Sequence, residues 1–191
     1  VLFPSSADIS VLTYEDYGDG KNLFRSVIQG THSQLSKVCS ELRPGGGGDL
    51  AEASKTALNH LSKLVKAWKT DTVLVFHYTD APPHHRLTNA SGSNRHKERH
   101  ALAGQKPGFD WCKISKRFRR NGEHVKLFTM APVDAPAGRC GAAFYSMLGE
   151  FIVLPHEASP QCIIQVTMSI LMQLIGQESS PGATEAQRVC F

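Results

Sequence analysis

Residues 71–85, DTVLVFHYTDAPPHH, constrain the fold more than any other stretch of the chain. Five of the six residues in VLVFHY, Val73 to Tyr78, are apolar or aromatic, so the sequence predicts a strand covered on both faces. Asp80 falls where the strand gives out. Pro82 and Pro83 then fix φ and remove two backbone donors, which ends ladder pairing and stiffens the loop. A carboxylate is thereby held at the carboxyl end of a strand, the edge at which open α/β sheets bind ligands. On this reading the strand at residues 72–78 lies inside a mostly parallel sheet, and a strand at residues 22–29 lies at its edge.

The length, 191 residues, fits one domain with a proper core, which we place at residues 1–176 with a loose tail at residues 177–191. Apolar content of 41% and charged content of 20% exclude bulk disorder, and a net charge of +4 is too small to argue for nucleic acid by itself. The five cysteines, Cys39, Cys112, Cys140, Cys162 and Cys190, are dispersed and form no CxxC pair. They read as thiols outside any disulfide framework or zinc knuckle, which fits a reducing, cytoplasmic setting. No apolar run reaches the roughly 20 residues that a membrane span needs, and VLFPSSAD lacks the design of a signal peptide. Because the sequence starts at Val1 rather than Met, we expect a processed product or a fragment of a longer polypeptide.

Ahead of the central stretch, ISVLTY predicts a strand, EDYGDG a turn, and NLFRSVIQ an antiparallel partner strand. Leu35, Val38, Cys39 and Leu42 then recur at helical spacing, with Thr31 or Ser33 as the cap and Pro44 as the stop. After the run PGGGGD, a stripe from Leu50 through Ala57, Leu58, Leu61 and Val65 to Trp68 predicts a second helix. Residues 86–107 are polar and basic and predict a long loop with one short helix. Beyond them the pattern predicts an amphipathic helix at 109–120, strands at 124–130 and 150–154, a helix at 141–148, and an apolar helix at 160–175 packed on the sheet.

In order and spacing, SVLTYEDYGD, then GGGGDLAEA leading a helix, then VLVFHYTDAPPHH resemble the von Willebrand factor A (vWA) domain. The likeness is to the branch found in alpha-kinase-associated and hemicentin-like proteins, and it covers residues 9–174. It implies a doubly wound, mostly parallel α/β sheet with helices on both faces. It also implies a metal-ion-dependent adhesion site, where a DxSxS loop, a second-loop Thr or Asp and a third-loop Asp hold a divalent cation. Asp80 matches the third-loop Asp, and Asp49 stands where the second-loop ligand would be. Gly47, Gly48, Pro82, Pro83 and His84 would then line the rim that touches a partner. Nothing ahead of Ile9 matches the DxSxS loop, so this sequence lacks the usual first central strand. With two carboxylates only, Mg²⁺ or Mn²⁺ is expected to bind weakly or not at all.

Each feature also admits a plainer reading. Asp49 and Glu52 have the D-x-x-E spacing of a capping box, and Asp80 could serve only to anchor a turn. The glycine run lies between two helices and lacks the Lys and Ser/Thr of a P-loop. His77, His84, His85, His96 and His100 invite a zinc reading, yet no HExxH pattern accompanies them. There is no GxSxG elbow, and Cys39, Cys112, Cys140 and Cys162 fall on predicted apolar helix faces, so we expect no enzyme. Between residues 95 and 120 the chain is strongly basic, and Lys113, Lys116, Arg117, Arg119 and Arg120 crowd one helix. That patch could bind phosphates, nucleic acid or an acidic partner, or simply face water. The sequence thus points first to a protein-binding α/β domain, and second to phosphate or nucleic-acid binding through residues 95–120.

Overall fold

A computed structural model describes residues 8–16, 24–42, 51–68, 72–84, 111–120, 124–135, 140–155, 158–174 and 187–189. In chain order these form β1 (Val11–Tyr14), β2 (Phe24–Val27), α1 (His32–Ser40), α2 (Ser54–Ala67) and β3 (Val73–Tyr78). There follow α3 (Trp111–Arg120), β4 (Val125–Pro132), α4 (Ala142–Tyr145), β5 (Glu150–Leu154), α5 (Pro160–Leu174) and β6 (Gln187–Val189). The fold is mixed α/β, built on the parallel strands β3, β4 and β5, with β6 antiparallel beside β5. Residues 187–189, expected to be part of a loose tail, thus complete the sheet at one side.

Alternation along β4 and β5 divides the core into two layers. Leu127, Ala131 and Phe151 face one way, where Leu58 and Val65 of α2, Trp111, Ile114 and Phe118 of α3, and Tyr145 pack on them. Phe128, Met130, Ile152 and Leu154 face the other way, against Val166 and Ile170 of α5. Helices therefore flank the sheet on both faces. The turn into β5 lies so close to β4 that a Cβ at Gly149 would come within 2.1 Å of the Leu127 carbonyl oxygen. Only glycine fits there without backbone movement.

Three expectations are corrected. First, β3 is not interior: it closes one side of the four-stranded sheet, and β1 and β2 pair with each other in a separate antiparallel sheet. The backbone of β3 bonds to β4 alone among the described strands, from Val73 N donating to His124 O (2.6 Å) to Thr79 N donating to Met130 O (3.1 Å). Its apolar run reports helix packing above and below, because Val75 joins the α2 layer and Phe76 the α5 layer. Coverage of both faces does not require a neighbour on both edges.

Second, Glu52 does not stand in the first turn of α2, where a capping box from Asp49 would need it. Helix α2 starts at Ser54, its cap position is Ala53 with no side-chain bond, and Glu52 instead bridges to Pro83. Asp49 itself lies outside the described residues. A capping box does form on α1, where Gln34 N donates to Thr31 Oγ1 and Thr31 N donates to Gln34 Oε1. Third, Cys39, Cys112 and Cys140 are exposed, whereas Cys162 is half-buried and packs with α5 against the Phe128 and Ile170 layer, so of these four thiols Cys162 alone sits in an apolar helix face as expected. Cys112 stands beside the buried Trp111 rather than on the buried stripe of α3, and α1, which carries Cys39, buries no side chain.

Candidate functional site at the carboxyl edge of the sheet

The chain leaves β3 through Thr79, whose Oγ1 donates to Ala81 O (3.0 Å) and accepts from Ala81 N (3.3 Å). That side-chain turn carries the backbone past Asp80, which is exposed, into a stretch that is wholly buried from Ala81 to His84. The prolines offer no donors, so pairing with the neighbouring segment uses the groups that remain. Glu52 N donates to Pro82 O (3.0 Å), and His84 N donates to Glu52 O (3.4 Å). This short parallel bridge fastens the approach to α2 against the loop after β3.

A buried polar cluster lies beneath. His77, at the end of β3, meets Tyr14 of β1 through Nε2 at 2.8 Å and Thr129 of β4 through Nδ1 at 3.2 Å. Burial lowers the His77 pKa from 6.5 to about 4, so the ring is neutral at physiological pH. A neutral ring that donates from Nδ1 to Thr129 Oγ1 and accepts the Tyr14 hydroxyl proton on Nε2 satisfies all three groups. Tyr145 stands edge-on to His77 at 5.2 Å, donates to Ala81 O at 2.8 Å and lies 3.1 Å from Ser54 Oγ. Burial pushes both tyrosine hydroxyls up in pKa, and the Glu52 and Asp80 carboxylates push the same way.

Asp16 and His84 complete the cluster. Asp16 Oδ1 lies 2.6 Å from His84 Nε2, and both side chains are only 1% exposed. The pair joins the end of β1 to the loop after β3 across 68 residues of sequence.

The structure thus places the predicted residues unevenly. Asp80 stands at the carboxyl edge as expected, and it is exposed. Pro82, Pro83 and His84 are next to it but turned inward and buried. Asp49, Gly47 and Gly48 lie outside the described residues, as do His85, His96 and His100. Among the described residues no group of three His, Cys, Asp or Glu side chains is placed to hold a metal ion. Asp80 by itself offers one carboxylate where a hard cation takes about six oxygens, so the described residues do not make an Mg²⁺ or Mn²⁺ site. Sequence reasoning missed Asp16, Tyr14 and Tyr145. The available signal was an acid in the turn after the first strand and a histidine after the proline pair, both too polar for a core unless they meet.

The basic helix α3 is amphipathic as predicted, with Trp111, Ile114, Ser115 and Phe118 buried. Trp111 Nε1 donates to Phe144 O (2.6 Å), Arg119 Nε to Met147 O (3.3 Å), and Arg117 Nη1 to Asn59 Oδ1. Lys113, Lys116, Arg119 and Arg120 are exposed on its outer side, and the basic residues before 111 lie outside the described residues. No described helix is long and apolar enough to cross a membrane.

No family model matches the chain, and no solved structure matches it. It is 37% identical over 176 residues to a protein of Acanthamoeba polyphaga mimivirus named as an ariadne-like RING finger protein. The match takes in 88% of this chain but only 16% of that relative, so the chain corresponds to a small part of a much longer polypeptide.

Proposed function

We propose that the chain is a protein-binding module of vWA type, and that it engages its partner at the carboxyl edge of the sheet around Asp80. The observation that carries this reading is the contrast at that edge: an exposed carboxylate on a loop whose following four residues are buried and bridged to the start of α2. A rigidly held charged group loses little entropy when a partner docks on it. The similarity to part of a long RING finger protein supports a module carried within a larger polypeptide. On this reading the Asp80 carboxylate is the group that meets the partner. A bridging divalent cation would need oxygen ligands beyond those the described residues supply.

A second reading is favoured by Lys113, Lys116, Arg119 and Arg120, which share the exposed side of α3 and could meet phosphate or an acidic partner. The two readings separate in one experiment. Partners captured on the immobilised chain are identified, then measured against Asp80→Asn and against Lys113→Glu/Lys116→Glu, at low and moderate salt. Loss of binding in Asp80→Asn with little salt dependence supports the edge site. Steep salt dependence with loss in the lysine variant supports the basic face and contradicts the edge site.

A further inference from the structure

The β1, β2 and α1 segment is built unlike the rest of the molecule. Across residues 8–16 and 24–42, the only described side chain that is buried is Asp16. Helix α1 buries nothing, Ile9, Ile28 and Leu42 are 50%, 38% and 43% exposed, and the Arg25–Glu41 ion pair at 3.9 Å is half exposed. By contrast β4 and β5 are covered by two apolar layers. Among the described residues the β1–β2 sheet shares no ladder with the four-stranded sheet. Among the described residues the two meet through Tyr14 to His77 at 2.8 Å and Asp16 to His84 at 2.6 Å, and through half-buried side chains of β1 lying against α2.

We propose that β1, β2 and α1 form a strap that undocks from the body as a unit, and that the buried Asp16–His84 pair is its latch. Local stability follows buried apolar contact, of which the described residues of this segment have little. Closed, the latch holds the Asp16 carboxylate and the His84 imidazole together out of water, and truncating either side chain removes that 2.6 Å contact. Opening releases both to water and exposes His77, Thr129 and Tyr145 at the very edge where Asp80 stands. This inference does not rest on the identity of any partner.

The test is native-state hydrogen exchange, residue by residue, on the full chain and on Asp16→Ala, His84→Ala and Tyr14→Phe. The strap predicts that β1 and α1 amides exchange through an opening at least about tenfold more populated than the one that exposes β4 and β5. Asp16→Ala and His84→Ala should each raise exchange of β1 and α1 by about tenfold or more while leaving β4 and β5 within about twofold. Tyr14→Phe should do the same to a smaller degree. Two results overturn the proposal: β1 opening together with β4 and β5 in the unaltered chain, or strap exchange that does not respond to loss of Asp16 or His84. A variant that loses protection everywhere overturns it as well, since the pair would then support the whole fold.

Discussion

His77 turns a buried hydrogen-bond arrangement into a pH dependence. Its folded pKa of about 4 lies below the ordinary 6.5, so as pH falls the unfolded chain takes up the proton first. The stability that comes from keeping the ring neutral is complete above about pH 6.5 and is lost progressively toward pH 4, on the order of 3 kcal/mol over that window. Urea unfolding at stepped pH should show this slope in the unaltered chain and a shallower one in His77→Gln; equal slopes would refute the assignment. Tyr145→Phe is the second residue-scale case. It removes the hydroxyl that donates to Ala81 O and meets Ser54, and should cost about 1–3 kcal/mol in urea unfolding because buried polar groups are left behind. Asp80 was legible from sequence, since the prolines fix where the strand ends. The Asp16–His84 pair was not, because nothing in local periodicity says which acid a histidine 68 positions away will meet.

Among the elements, those with a one-sided or two-sided apolar pattern were read closely. The strand predicted at 150–154 is β5 itself, the helix predicted at 160–175 is α5 within one residue, and the stripe at Ile114 and Phe118 is the buried side of α3. The place of β3 in its sheet could not be read, because side-chain pattern encodes the two faces of a strand and not its two edges. The start of α2 was misplaced for a related reason: Glu52 has capping spacing from Asp49 yet is drawn away by backbone pairing with Pro82 and His84. The close approach of β4 and β5 makes a sharp element-scale prediction. Gly149→Ala forces a Cβ against the Leu127 carbonyl and should destabilise by about 1–3 kcal/mol, lowering Tm, with β4 and β5 amides losing protection first. An unchanged Tm would mean that the turn relaxes without cost.

At the scale of the whole molecule, the chain divides into a two-layered body and a poorly buried strap that meet at one edge. A single exposed carboxylate there does not satisfy a hard cation, so calorimetric titration of the chain with Mn²⁺ should show only weak binding. Tight binding would mean that residues beyond those described complete a site. The claim on which the functional account depends is that partners contact the carboxyl edge and not the basic face of α3. A photocrosslinking amino acid placed at position 80 and, separately, at position 116 tests it directly. The account predicts crosslinked partner from position 80 and none from position 116, and crosslinking from position 116 alone would contradict it.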